Sequence, residues 1–296
     1  MGLGISMVKL NFELWRQGLF KDVHHVMEMG SQELHLKLSD FENFVQMSGI
    51  QGYKREDFAI LNNWPGSPRL PSRLFYELLG INQYSCVDLN KYYGALPLDL
   101  NYPFEDKSHY GKYDLVTDYG TNEHAFNAPE AYRTMHKLCK PGGLLICAQM
   151  VFKGNGYYMF DASFYEGLAA ANNYSILYAS YIVISTVPTP AGSDNQFHLP
   201  LSNELLDMLD WTKTQGIAVC YVLRKNSGAD FCLPYQDFFM AEKQNNHGYQ
   251  LQYMQAPPSR SYVPMHIGLI PGKDLLQEVA HRVARKFNIT LKSKEG

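Results

Sequence analysis

From residue 113 to residue 224 the chain repeats one pattern, a short apolar run that reads as a strand followed by a stretch with helical spacing. YDLVTDY at 113–119 precedes a helical pattern over 129–138, and GLLICAQM at 143–150 precedes another over 161–172. The Ile-, Val- and Tyr-rich run 174–187 then leads through helically spaced Leu205, Leu206 and Leu209 to GIAVCYVLR at 216–224. Strands that alternate with helices build a mostly parallel sheet with helices on both faces, since a parallel pair needs a crossover long enough to hold a helix. The predicted fold class is therefore α/β.

The first strand of that sheet lies upstream, in DVHHVMEMGSQELHLKL at 22–38, where Val23, Val26, Met27 and Met29 form an apolar run bounded by a turn signal. Glu28 sits at its carboxyl end and Gly30 just beyond, where a residue without a Cβ lets the backbone take φ > 0 and pass close to another molecule. Open α/β sheets bind ligands outside the carboxyl ends of their strands, so this turn is the rim of a site. Leu10, Leu14 and Trp15 predict a helix over 9–20, and Leu36, Leu38, Phe41, Phe44 and Val45 predict another over 34–47. Three prolines and a glycine in NNWPGSPRLPS, 62–72, exclude regular structure there. Ser72 is the expected cap of a helix over 73–79 that Gly80 ends, and YSCVDL at 84–89 is the second strand. More than 40 residues between these strands exceed a minimal crossover, so 39–75 reads as an insertion placed to cover a site.

At 296 residues the economical reading is one domain, 1–225, with residues 226–296 as a C-terminal extension packed on it. That extension ends in an amphipathic pattern, 273–287, whose Leu275, Leu276, Val279, Val283 and Phe287 share one face, expected to dock on the sheet. A net charge of −3, from 26 basic and 29 acidic residues without long runs, gives no footprint for nucleic acid or anionic membrane and points to a small-molecule partner. No run approaches the roughly 18 to 20 apolar residues of a membrane span. Five scattered cysteines with no CxxC pair read as reduced thiols of a cytoplasmic protein. His24 and His25 are adjacent on a strand and face opposite sides, so no metal site is expected. No Gly-x-Ser-x-Gly elbow supports a hydrolase. Self-association is left open.

The chemistry collects at strand ends: Glu28 and Gly30, then Asp88, then Asp99 in GALPLDLN, read as a third short strand, then Asp118-Tyr119-Gly120. An acid ending the second strand can accept hydrogen bonds from both ribose hydroxyls of a nucleoside, and Asp99 could accept from an adenine amino group. A dinucleotide fold would place Gly-x-Gly-x-x-Gly at the first turn to hold a pyrophosphate. Here the turn is Gly30-Ser31-Gln32-Glu33, with one glycine and an acid that repels phosphate, so a nucleoside lacking phosphate fits better.

At this point the residues resemble the class I S-adenosylmethionine-dependent methyltransferases. VMEMGSQEL is similar to their first motif, YSCVDLN to the second, GALPLDLN to the third, YDLVTDYGTNEH to the fourth and LCKPGGLLI to the turn into strand five, over roughly residues 20–225. The resemblance implies a Rossmann-like, seven-stranded, mostly parallel sheet with helices on both faces, an insertion after strand 1, and a seventh strand antiparallel to the sixth. It implies S-adenosyl-L-methionine as cofactor, with Glu28, Gly30, Ser31 and Gln32 around its methionine part. Asp88 would then hold the ribose, Asp99 and Leu100 the adenine, and Asp118, Tyr119 and Gly120 would lie beneath the reactive methyl. The first motif departs from the usual two or three glycines by keeping Gly30 alone.

The reaction implied is methyl transfer to an oxygen, less readily a nitrogen, of a small metabolite or glycan-type acceptor. Positioning can supply most of such a rate, and for a hydroxyl acceptor His124, oriented by Glu123, is the best-placed base. KGNGYYMFDASF at 153–164 follows strand five at the rim, and in similar methyltransferases this region faces the acceptor, which nominates Tyr157 and Tyr158 as substrate contacts. Two other readings stand beside this one. A nicotinamide-dependent oxidoreductase is disfavoured by the missing glycines, and a methyltransferase-like binding module without turnover is consistent with the thin first motif.

Overall fold

Neighbouring residues along the central strands face two different cores. Val26, Leu115, Leu144, Ile146 and Val222 join one buried cluster, while Met27, Val116, Leu145, Cys147 and Leu223 join the other. A sheet buried on both faces explains why its strands read as continuous apolar runs. In the computed structural model, which describes residues 2–186 and 195–235, the elements are β1 (Gly2–Gly4), α1 (Ile5–Arg16), β2 (His25–Met29), β3 (Glu33–His35), α2 (Leu38–Ser48), α3 (Arg73–Leu78), β4 (Gln83–Val87), β5 (Tyr113–Tyr119), α4 (Ala128–Leu138), β6 (Cys139–Phe152), α5 (Ala162–Ala171), β7 (Tyr174–Ser185), β8 (Gln196–Leu199), α6 (Asn203–Asp207) and β9 (Thr214–Lys225). Helices α1, α2 and α3 cover the first face through Leu10, Phe41 and Phe75, and α4 and α5 cover the second through Tyr132, Met135 and Tyr165.

The main sheet has the order β4-β2-β5-β6-β9-β7-β8. β4, β2, β5 and β6 pair in parallel, and β9 runs antiparallel to both β6 and β7. This is the α/β sheet expected, with the last strand reversed against the long one before it. The chain leaves β2 toward one edge and β5 toward the other, so the order reverses between β2 and β5, which opens a crevice at their carboxyl ends.

Several local expectations are corrected. No strand carries Asp99; Leu96 makes a single parallel bridge with Val87, and the seventh place is taken by β8, which pairs antiparallel with β7. The helix expected over 34–47 begins only at Leu38, because Glu33–His35 instead pairs in parallel with Gly2–Gly4 as a separate two-stranded sheet. α1 starts at Ile5 rather than 9 and stops at Arg16, where Gly18 at φ 78 and the bonds Gly18 N to Trp15 O (2.9 Å) and Leu19 N to Leu14 O (3.0 Å) form a Schellman stop. Ser72 precedes α3 but gives it no side-chain cap, for its hydroxyl is committed to Glu28. Within the insertion, a 3-10 helix Arg55–Asn63 precedes the irregular proline-rich part and stacks Phe58 on Phe41 at 4.6 Å, which ties it to α2.

The amphipathic pattern at 273–287 lies outside the described residues. The start of the extension is bound to the α4 and α5 layer: Cys232 N donates to Asn172 Oδ1 (2.8 Å), Asn172 Nδ2 to Cys232 O (2.9 Å), and His136 Nε2 lies 2.8 Å from Ala229 O.

At the opposite, amino-terminal end of the central strands, Asp114 Oδ2 accepts from the amides of His24 and His25, each at 2.8 Å, and the carboxylate pairs with Lys140. These contacts set the register in which β2 enters beside β5. Asp114→Ala is expected to cost about 1–3 kcal/mol, and Asp114→Asn less because one acceptor oxygen remains. The check is a lowered urea midpoint at an unchanged m value.

Candidate active site at the strand-end rim

The crevice between β2 and β5 is closed at its base by one cluster of short contacts. Thr121 Oγ1 donates to Met29 O at 2.6 Å, and Gln32 Nε2 donates to Met29 O (3.0 Å) and Thr121 Oγ1 (2.9 Å). Gly30 passes through this cluster at φ 85, its amide bound to Val87 O at 2.8 Å, and a Cβ built on it would lie 2.5 Å from Thr121 Oγ1. Both the left-handed backbone and the missing side chain are therefore required at this position. Gln32 is fully buried and its Oε1 has no hydrogen-bond partner, an exception among buried polar atoms.

The strand-end acids divide into two kinds. Glu28 is fully buried on the α3 side, where Ser72 Oγ (2.5 Å), Tyr84 Oη (2.7 Å) and Tyr76 Oη (2.9 Å) all donate to it. Burial pushes its carboxyl up to about 7, against the downward pull of those hydroxyls and the Gln32 amide. Asp118 is fully buried on the α4 side, with Oδ1 accepting from Thr121 N and Asn122 N, both at 3.1 Å, and Oδ2 from Gln149 Nε2 at 2.5 Å. Burial raises it to about 7 as well. These two carboxyls hold the turns from beneath.

Asp88, by contrast, is half-buried at the end of β4. Its Oδ2 accepts from Ser31 N (2.8 Å) and Ser31 Oγ (2.7 Å), and its Oδ1 from Asn90 N (3.1 Å). Burial would raise it, but the Ser31 and Asn90 donors outweigh burial and hold it below the usual carboxylate range. Asp99 is half-buried in an Asx turn, accepting from Asn101 N (3.0 Å) and Nδ2 (2.8 Å), and Leu100 packs beside the second core. Asn101 in turn accepts two hydrogen bonds from Asn127, N to Oδ1 at 2.9 Å and Nδ2 to O at 3.0 Å, which ties this turn to the loop after β5. Tyr119 turns its ring into the first core, where its hydroxyl accepts from Asn11 Nδ2 at 3.1 Å, so only its backbone reaches the rim. Gly120 follows with its amide on Ala148 O at 2.9 Å.

Beyond Gly120, a single 3-10 turn, Asn122–His124, carries the predicted pair. Glu123 is buried with Oε2 accepting from Met150 N at 2.8 Å, and its Oε1 lies 3.7 Å from Nε2 of the exposed His124. The loop after β6 rests on this turn: Tyr158 N donates to Glu123 O at 3.3 Å, and a Cβ on Gly156 would lie 2.6 Å from the same oxygen. Tyr157 and Tyr158 are exposed, and Tyr158 is tied by its amide to Glu123, the residue before His124.

The residues that knit the rim, Thr121, Gln149, Ser72, Tyr76 and Tyr84, were not among the predicted ones. A polar Gln149 inside the apolar run GLLICAQM was a visible signal; the hydroxyls around Glu28 come from a separate helix and strand and left none. Among the described residues no group of three His, Cys, Asp or Glu is arranged to hold a metal ion, and no helix is long and apolar enough to cross a membrane.

No family model and no curated protein matches the chain. Among solved structures it is similar to the 1,6-didemethyltoxoflavin-N1-methyltransferase of Burkholderia thailandensis, bound to 1,6-didemethyltoxoflavin and S-adenosylhomocysteine, at 11% identity over 74% of this chain and 79% of that one, with a TM-score of 0.37. It is also similar to a SAM dependent methyltransferase from Archaeoglobus fulgidus (10% identity, 73% and 94% covered, TM-score 0.35). A third is CrArsM, an arsenic(III) S-adenosylmethionine methyltransferase of Chlamydomonas reinhardtii (12%, 69% and 64%, 0.32). These likenesses are of fold: the sheet is the mostly parallel, Rossmann-like α/β sheet expected, with β9 reversed between β6 and β7.

A carboxyl whose folded-state pKa exceeds its unfolded value stabilises the fold fully below the unfolded pKa, and that contribution is lost as pH rises through the folded one. For Glu28 the window runs from 4.5 to about 7 and for Asp118 from 3.8 to about 7. Stability of the wild type minus that of Glu28→Gln is expected to fall across this window, as is the difference from Asp118→Asn. Urea titrations at pH 5, 6, 7 and 8 read the slope; a difference that does not change with pH would show these carboxyls to be ordinary.

Proposed function

We propose that this chain is a methyltransferase that uses S-adenosyl-L-methionine to methylate an oxygen of a small-molecule acceptor. The observation that carries this reading is the crevice between β2 and β5, with a half-buried acid at the end of β4 and no helix start at its turn. After Gly30 the chain enters β3, and the next helix begins only at Leu38. A pyrophosphate would want a helix amino terminus there, so the rim favours a nucleoside without phosphate over a dinucleotide.

The residues present suit such a ligand. The turn at Gly30 and Ser31 would border its amino-acid part, and the unpartnered Gln32 Oε1 is an acceptor suited to an ammonium group. Asp88 would take the ribose hydroxyls, with Ser31 Oγ giving up its place on Oδ2, and Asp99 and Leu100 would face the base. Tyr119 and Gly120 would contribute backbone only. Asp118 and Glu28 act as positioning groups that hold the turns. The cofactor supplies an activated sulfonium methyl, which leaves the protein mainly with alignment and exclusion of water. His124, held beside Glu123, would receive the acceptor's proton.

One contact favours the other reading, a binding module without turnover: Ser31 and Asn90 already donate three hydrogen bonds to Asp88. Thermal unfolding with S-adenosylmethionine, S-adenosylhomocysteine and NAD separates the cases. A ligand at 100 times its Kd adds about 2.7 kcal/mol, a rise of several degrees. Both sulfur ligands are expected to raise Tm, NAD to leave it unchanged, Asp88→Ala to lose the rise, and Ser31→Ala to keep it. A rise with NAD alone would make the chain an oxidoreductase, and no rise with any ligand would remove the cofactor.

A further inference from the structure

The loop after β5, which carries His124, and the loop after β6 meet through exposed aromatic rings. Phe126 is 70% exposed and Tyr157 71%, and their rings stand edge to face at 5.6 Å. Tyr158, less exposed, donates its hydroxyl to Phe126 O at 2.8 Å, and its amide is bound to Glu123 O, so the two loops hold each other. Both loops follow carboxyl ends of strands, and the hydrogen bonds of Tyr158 to Phe126 and Glu123 give the edge-to-face pair a standing mutual geometry rather than that of solvated loop tips.

Charge is scarce on the two loops. Residues 122–128 (NEHAFNA) and 154–160 (GNGYYMF) contain no lysine, arginine or aspartate, and Glu123 and His124 are their sole acid and histidine. Glu123 is committed to Met150 N. Lys153, just before, donates to Thr214 O at 3.2 Å. Polar side chains that could read a sugar are few: Asn127 is spent on Asn101, Asn122 is buried and the Tyr158 hydroxyl is given to Phe126 O, which leaves Asn155 and the Tyr157 hydroxyl. A neutral, flat acceptor suits this surface better than a phosphate, a carboxylate or a sugar.

We infer that the acceptor is a neutral phenolic compound whose ring is held against Phe126 and Tyr157 and whose hydroxyl is presented to His124, an inference that rests on the methyltransferase reading. Transfer to it forms one O–CH3 bond and breaks one S–CH3 bond, the sulfur leaving as a neutral thioether, and the phenol proton passes to the His124 imidazole. A phenol gives up this proton far more readily than an alcohol does: a phenol ionises at about pH 10, whereas an unassisted alcohol lies closer to water.

Calorimetric titration of the full chain, free and saturated with S-adenosylhomocysteine, with 2-naphthol and catechol as probes and glucose and benzoate as controls, tests it. The phenols are expected to bind, and Phe126→Ala and Tyr157→Ala to weaken them at least tenfold while S-adenosylhomocysteine affinity stays within twofold; both side chains are exposed, so the core is untouched. With S-adenosylmethionine present, His124→Asn is expected to keep phenol binding, to lower methyl transfer about 10²- to 10⁴-fold at neutral pH, and to recover as pH approaches that of phenol ionisation. Glucose or benzoate binding in place of the phenols, or phenol binding indifferent to both alanine variants, overturns the inference while leaving the methyltransferase reading intact. Phenol binding at these rings without any binding of S-adenosylhomocysteine overturns the methyltransferase reading and with it the role of the phenol as acceptor.

Discussion

The rim depends on the hydrogen bond from Thr121 Oγ1 to Met29 O, made where the sheet reverses its order. Connections that leave β2 and β5 in opposite directions pull the backbone apart at their carboxyl ends, and some group has to close the base of the gap. Here a threonine from one strand end does so, and it can reach Met29 only because Gly30 has no side chain in its path. Gln32 then bonds to both partners. The single glycine of the first turn is thus set by packing against Thr121 as much as by any ligand.

Burial sorts the acids around this contact. Glu28 and Asp118 point to opposite faces of the sheet, because they sit on adjacent parallel strands at positions of opposite pleat, and each is sealed in its own core. Taking a carboxyl from water favours its neutral form, and both are raised to about 7. At Glu28 three donating hydroxyls offset part of that burial. Asp88, half-buried and fed by Ser31, stays ionised. One rim therefore carries interior anchors that hold turns and a surface acid able to meet a ligand, although all arise from similar strand-end positions.

Much of this was legible in the chain. The short apolar runs bounded by turn signals and the helical spacing between them sufficed for the α/β class, for β2, β4, β5, β6, β7 and β9, and for helices α3, α4 and α5 to within a few residues. β8 was not legible, since QFHL is too short to stand out and its partner, β7, is set by tertiary pairing. The stretch after Gly30 was misread for the same reason: ELH carries no strand signal by itself and becomes one only when Gly2–Gly4 lies alongside.

The site divides in the same way. The sequence by itself determined which residue types stand at the strand ends, because side-chain alternation and turn residues are local properties of the chain: an acid and a glycine after the first strand, an acid after the second, a Glu-His pair after Gly120. Only the tertiary structure decided which of those acids is buried and which is presented, because burial depends on what α3 and α4 bring against the sheet. Ser72, Tyr76 and Tyr84, distant in sequence from Glu28, make it an anchor; Ser31, next to Gly30 in sequence but 57 residues from Asp88, reaches it from the end of the neighbouring strand β2.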